Sequence, residues 1–407
     1  MEQGPAVPKY ILRGHDAAIH ALHFYSGNAF LASGDSDGWL VIWSLTTKRP
    51  VAVWKGHDGG VMAIQHWTTE RLVSHGRDHK LRVWQVRPED LAGLSQELPA
   101  DGAHPDQAQP WLLHSLSVNA LNFCAFSICD ENEDESRELA SADRTPPAPA
   151  PQLIASPNGL DSGGIDIFQL PSEQRISQIH SDENSPTGMV MAVSLFHDHD
   201  DPSTLVLVSG YEDGRVMVHS HSGGLRVGEG QWQTVMTSKP HSQPVLSIAI
   251  LPSRQYFLSS GADAVITKVA LTTANTESEP QSQKAVNTKH AGQQGLSVRS
   301  DGKIFATAGW DARIRVYSCK TMKELAVLKW HKVGCYATAF ADILSNETTN
   351  SLSKRFGPTE PASSSLEVAS SVNALDVIKQ QREEKARMTH WLAAGGKDGK
   401  ISLWDIY

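Results

Sequence analysis

Short runs of alternating apolar residues recur along the chain: LVIW (40–43), LRVW (81–84), IRVY (314–317) and ISLW (401–404). A two-residue period of this kind predicts half-buried β-strands. An Asp-Gly, Asp-His or Asp-Ala pair stands one to three residues before each run, as expected for a tight turn from a second strand to a third. The periodicity belongs to a larger unit. Residues 14–43 and 56–84 align almost without gaps, and their Gly-His pairs lie 42 positions apart. A unit of about 40–45 residues that opens on Gly-His and ends on Trp is the signature of a four-stranded propeller blade.

A frame of four polar or aromatic positions defines the copies. His15–Ser33–Asp37–Trp43 and His57–Ser74–Asp78–Trp84 are the clearest. His241–Ser259–Asp263–Val269 and His290–Thr307–Asp311–Tyr317 keep the spacing with a changed last residue. In all four the steps are 17 or 18, then 4, then 6, a coincidence that unrelated segments would not share. Looser copies are His180–Ser209–Asp213–His219 and His331–Ala394–Asp398–Trp404, the latter without its Ser. A seventh begins at His114 and continues after an insertion into 152–170. The four residue types match the structural tetrad of WD-repeat blades, in which His, Asp, Ser and Trp satisfy one another's donors and acceptors. Seven of the 18 histidines thereby receive a structural post, one per blade.

The expected fold is therefore all-β: a single seven-bladed WD-repeat β-propeller over residues 1–407. The last copy reaches Tyr407 after only three strands, and KYILR (9–13) precedes the first Gly-His. An N-terminal strand completing the last blade would close the ring and remove its open edges. Seven blades account for roughly 294 residues. The surplus falls into disordered or partly helical loop insertions at about 87–110, 127–151, 272–282 and 343–389. The last contains SVNALDVIKQQREEKARM (371–388), rich in helix formers, which would pack on the propeller or dock on another protein.

Composition narrows the function class. A net charge of −9 argues against a general nucleic-acid or anionic-membrane binder. More than half of it sits in Asp130–Arg144, where seven acids face two arginines. That stretch reads as a solvated insertion, or alternatively as bait for a basic partner such as a histone or an Arg-rich segment. No apolar stretch approaches the length of a membrane span, no signal-peptide core is visible, and Cys124, Cys129, Cys319 and Cys335 form no CxxC pair. A soluble, intracellular, reduced protein is expected.

Chemistry-bearing motifs are scarce. No Walker loop, dinucleotide fingerprint, nucleophile elbow or HExxH helix occurs. His197, Asp198, His199, Asp200 and Asp201 are adjacent, but neighbours on a strand point to opposite faces, so a polar turn is the better reading than a metal site. His–Asp pairs recur blade by blade, whereas an active site needs one unique constellation. No catalytic, cofactor-binding or metal-ligating residues are assigned. Trp39 and Trp310, in or beside second-to-third-strand turns, are candidate partner contacts.

Three segments carry a narrower likeness: the opening YILRGH…IHALHF…FLASGDSDGWLVIW, residues 292–340 and the ending HWLAAGGKDGKISLWDIY. They resemble the fungal ASTRA-associated WD-repeat family, itself similar to an animal WD-repeat protein described as G-protein beta-subunit-like. ATAGWDARIRVY (306–317) and KDGKISLWDIY (397–407) are the most specific pieces. The resemblance implies a subunit of the ASTRA complex, linked to chromatin remodelling and to the cochaperones that mature phosphatidylinositol-3-kinase-related kinases. It implies a nuclear location, with the cytoplasm as a second one. The function expected is a non-enzymatic protein scaffold without cofactors. The alternative is a reader of modified histone tails or phosphopeptides at the central channel, which needs Arg or aromatic side chains converging at one mouth. A heterotrimeric G-protein beta subunit is not expected, since about nine residues before the first strand leave no room for a coiled-coil helix.

Overall fold

Seven four-stranded antiparallel sheets make up the structure, a computed structural model that describes residues 6–119, 124–132, 149–182, 184–223, 225, 231–271, 283–344 and 374–406. Blade 1 is Ile19–Tyr25, Phe30–Asp35, Trp39–Ser44 and Pro50–Lys55, from inner to outer strand. Blades 2 to 6 follow the same order, beginning at Val61, Ser127, Val190, Val245 and Gln293. Blade 7 takes its inner three strands from Cys335–Phe340, Trp391–Gly396 and Ile401–Asp405, and its outer strand, Tyr10–Leu12, from the other end of the chain. The expected closure is thus present: Tyr10, Ile11 and Leu12 pair with Leu403, Ser402 and Ile401, and Lys9 N–H donates to the Leu403 carbonyl at 2.8 Å.

The core is not one mass but seven wedges, each filled by the facing sides of two neighbouring blades. Trp43 and Leu31 of blade 1 meet Leu403 and Ala393 of blade 7. Trp54 of blade 1 meets Trp84 of blade 2 with ring centroids 5.8 Å apart, and the remaining five junctions repeat the arrangement. Every blade is therefore apolar on both faces, which explains strands such as Thr204–Tyr211 that are buried at every position. A backbone lock accompanies the wedges. In blade 1's second-to-third-strand turn Gly38 has φ +89°. A Cβ there would lie 2.0 Å from the His57 carbonyl oxygen of blade 2. Gly399 stands in the same relation to His15 and Gly214 to His241, so the Asp-Gly turns need glycine because the backbone at the next blade's His rests on them.

Antiparallel order also sorts the connections by face. First-to-second and third-to-fourth connections leave one face of the ring; second-to-third turns and blade-to-blade links leave the other. The expected insertions 127–151 and 343–389 are of the first kind, and 87–110 and 272–282 of the second, so all four emerge from one face. The segment 87–110 folds back over the outer strand of blade 1. Ser95 O accepts from Val53 N–H at 2.9 Å, and Gln107 and Gln109 side chains donate to the Val53 and Lys55 carbonyls. That covers an otherwise open sheet edge. The stretch 127–151 starts as blade 3's inner strand, Ser127–Asp130; most of the acidic run, 272–282 and the beginning of the last insertion lie outside the described residues.

The last insertion ends in a helix, Ala374–Met388. Its final turn packs on the propeller: Ala386 joins the wedge between blades 7 and 1, and its carbonyl accepts from Trp391 Nε1 at 2.7 Å. Asn28 ties both ends of the insertion, donating to the Asp342 and Arg387 carbonyls. Val377 and Ile378 remain exposed, so packing is confined to the helix's end. Removal of residues 1–13 strips Leu12 from its wedge and opens the outer edge of blade 7. The expected outcome is a melting temperature ~10 °C or more lower, since a buried Leu alone contributes about 2–3 kcal/mol; an unchanged thermal melt would contradict strand closure.

Candidate functional site

Two places in a ring of this kind can carry function: the polar relays inside the blades and the surfaces around the channel. Blade 2 has the complete relay. His57 Nε2 meets Ser74 Oγ at 2.7 Å, Trp84 Nε1 donates to the same hydroxyl at 2.8 Å, and His57 Nδ1 meets Asp78 at 2.9 Å. Burial pushes His57 towards the neutral form, opposed by Asp78. Burial would raise Asp78, but the hydrogen bonds from His57 and Arg82 outweigh it and hold the carboxyl well below its usual range. All of this chemistry is consumed inside the blade.

Other blades reach the same end by other residues. In blade 1 the relay partner of His15 is Asp35 at 2.6 Å, not Asp37, which is exposed. Asp35 aligns with Gly76 of blade 2, whose Cα lies against His57. A carboxylate on that strand end meets the ring directly, and its second oxygen accepts from the Asp37 and Trp39 amides. Ser33 and Trp43 complete the set at 2.7 and 2.8 Å. Blade 5 holds His241, Ser259 and Asp263 together; Val269 keeps the packing role, while Thr267, across the strand pair from Ser259, supplies the fourth polar group at 2.7 Å. In blade 7 the hydroxyl absent at Ala394 comes from Ser402, its cross-strand partner, which meets His331 Nε2 and Trp404 Nε1, each at 2.8 Å. Asp398 does not bond His331; it accepts from Lys400 at 2.7 Å.

Three of the seven expected histidines are elsewhere. His290 is half exposed and 3.5 Å from Asp311. Its place is taken by buried Gln293, which accepts from Thr307 at 2.8 Å, while Arg315 holds Asp311 at 2.6 Å and Tyr317 is buried in the wedge between blades 5 and 6. His180 is exposed, and Ser209 bonds Tyr211 while Asp213 pairs with Arg215, so blade 4 has no such relay. His114 lies on blade 2's outer strand against Glu173, and blade 3 uses Asn158, Asp166 and Arg175. The frame located positions; it did not reveal that an amide or a hydroxyl from an adjacent strand fills them equally well.

The central channel holds a cavity of about 260 Å³ lined by the inner strands, including Met62, Ile64, Leu246 and Leu296. His20 and Tyr336 stack on each other at 5.0 Å across the blade 1–blade 7 junction. On the inner strands of blades 1 and 2, His23 and His66 share a 2.7 Å hydrogen bond, and burial, then His66, pushes His23 down to about 3. The His197–Asp201 run is a self-satisfied turn: His197 bonds two carbonyls and the Asp198 and Asp201 carboxylates accept from following residues. No group of three potential ligands for a metal occurs among the described residues. Of the two tryptophans expected as contacts, Trp39 is instead core, 7% exposed within the wedge between blades 7 and 1. Trp310 is 46% exposed.

Two measurements discriminate among these roles. Asp35→Ala strands buried His15 and is expected to destabilise by about 1–3 kcal/mol, whereas Asp37→Ala stays within about 0.5 kcal/mol; chemical denaturation of both variants would show reversed order if the spacing frame were right. Burial also pushes His331 and His219 down to about 4, against an ordinary 6.5. An unfolded chain therefore binds more protons than the folded one below 6.5, so stability present above that pH falls as pH drops towards 4. The melting temperature should decline between about pH 6.5 and 5, before most carboxylates titrate; a flat profile there would mean these histidines are not held neutral.

Comparison with known proteins adds what geometry does not. The family model described as ASTRA-associated protein 1 matches residues 8–404. An ASTRA-associated protein 1 of Penicillium rubens is 49% identical over 100% of this chain and 98% of its own length. That of Aspergillus flavus is 47% identical with the same coverage, and that of Schizosaccharomyces japonicus 29% identical over 98% of this chain and 99% of its own. These matches span nearly the whole chain, as the resemblance read from the sequence does, and the chain belongs to the ASTRA-associated protein 1 family.

Proposed function

We propose that this protein is a non-enzymatic scaffold that holds protein subunits within the ASTRA complex. The observation that carries the reading is full-length membership of a family named for that association. The architecture is in keeping with it. The His, Asp and Ser groups that elsewhere perform catalysis are spent here on relays within blades 1, 2, 5 and 7. A closed ring offers two faces and a rim as rigid surfaces, which keeps the ordering cost of binding low. We further propose that the assembly serves chromatin remodelling and the cochaperone-dependent maturation of phosphatidylinositol-3-kinase-related kinases, and that the protein works in the nucleus. Purification of a tagged copy at native expression, with mass spectrometry, is expected to recover ASTRA subunits and the kinase-maturation cochaperones. Recovery of the protein alone would overturn the reading, and a fluorescent fusion excluded from nuclei would overturn the location.

A further inference from the structure

The face opposite the insertions carries a feature that the blade relays do not use. Trp310, at the second-to-third-strand turn of blade 6, is nearly half exposed but not loose. Its indole lies flat on Gly292, where a Cβ would sit 2.0 Å from Cδ2, and Nε1 donates to Gln294 Oε1 at 2.8 Å. Its backbone is clamped as well, donating to the Gly292 carbonyl and abutting Gly334. A large aromatic fixed in place and left accessible loses little freedom when something covers it.

The surroundings state what that something is. Val333, 38% exposed, precedes Gly334, which abuts the Trp310 backbone. Lys332 is next to it, and Lys397 N–H donates to the Gly334 carbonyl. On the other side Lys289, Lys329 and Arg313 line a cleft of about 520 Å³ between blades 5 and 6. Lys289, Lys329, Lys332 and Lys397 are all exposed, and none pairs with a carboxylate among the described residues. The carboxylates of this sector are already engaged, Asp311 and Glu324 by Arg315 and Asp398 by Lys400. A chain of net charge −9 thus presents a concentrated positive patch around one rigid aromatic.

We propose that this sector of blades 6 and 7 docks an acidic peptide segment of a partner protein, with one apolar side chain seated against Trp310 and its carboxylates over the lysines. Charge complementarity selects the acidic chain and steers its approach; the indole supplies the anchor. A nucleic acid fits less well, because the patch is one sector of a net-negative molecule and offers no continuous basic track. The inference deepens the scaffold reading by giving it a contact surface.

The test uses the full chain and a fluorescein-labelled peptide of Glu and Asp residues with one central Phe, followed by anisotropy. Saturable binding that weakens with salt is expected. Trp310→Ala and the pair Lys332→Glu with Lys397→Glu should each weaken it by about tenfold or more. Lys323→Glu, on the insertion face, should leave it unchanged, and equal melting temperatures exclude misfolding. Absence of saturable binding, indifference to Trp310→Ala, equal binding of the peptide with Phe replaced by Ala, or stronger binding of an oligo-dT strand would each overturn the proposal. Co-purification of ASTRA subunits is read separately, so failure here leaves the scaffold reading standing.

Discussion

Everything in this molecule depends on the fact that each blade is apolar on both sides. A four-stranded sheet with two buried faces has no stable existence alone; it needs a neighbour on each side, and those neighbours need theirs. The requirement terminates only when the row bends into a ring. Seven wedges, one per junction, replace a central core, and the channel is what remains where the inner strands converge. Seen this way the small strand Tyr10–Leu12 is not an ornament. It completes the one blade whose strands come from both ends of the chain, and Leu12 enters the wedge on which blades 7 and 1 both rely.

The relays solve the polar side of the same problem. A His-bearing loop tucked under a blade buries an imidazole whose two nitrogens both need partners. What recurs in blades 1, 2, 5 and 7 is a hydroxyl near Nε2, whichever strand brings it, while blades 1, 2 and 5 add a carboxylate at Nδ1. Ser74 comes from a second strand and Ser402 from a third, yet both sit 2.8 Å from their tryptophan's Nε1. Because cross-strand partners lie side by side, a lost hydroxyl at Ala394 is replaced at its register mate without moving the backbone. The tryptophan adds a second role, since it also fills the wedge towards the preceding blade. Val269 shows the two roles separating: it keeps the packing and leaves the hydrogen bond to Thr267.

This separability explains which features were legible in the sequence. Blade number, closure and the position of the insertions follow from periodicity, because strand length and turn chemistry leave direct marks on residue order. The identity of each relay member does not. The run Gly34-Asp35-Ser36-Asp37 contains two aspartates, and only the direction of the strand end against His15 decides between them. His290 fits the spacing but stands on a loop whose path diverges, and a buried Gln293 three residues on does its work. Trp39 reads as a turn residue and is core, since it shares the strand face of Val41 and Trp43, which fills the wedge towards blade 7. Spacing fixes where a side chain starts; burial and direction are set by the neighbouring blade, which is far away in sequence.

The same geometry explains an asymmetry between the faces. Second-to-third turns and blade-to-blade links are where adjacent blades lock, through contacts such as Gly399 against His15, so length there is constrained by the ring itself. Connections on the opposite face bond across blades through side chains, as Asn28 does to the Asp342 carbonyl, but among the described residues no glycine there is pressed onto the next blade's backbone. These connections are free to lengthen at small entropic cost, and the four large insertions are all found there. Two consequences follow for a protein that binds others. The insertion face can change by adding chain, as the 87–110 segment and the 374–388 helix have done. The locked face can change only by exchanging side chains on a fixed frame. A surface of the second kind has its shape set before any partner arrives, which is why Trp310, an exposed aromatic clamped on it, stands out from the exposed apolar residues of the helix.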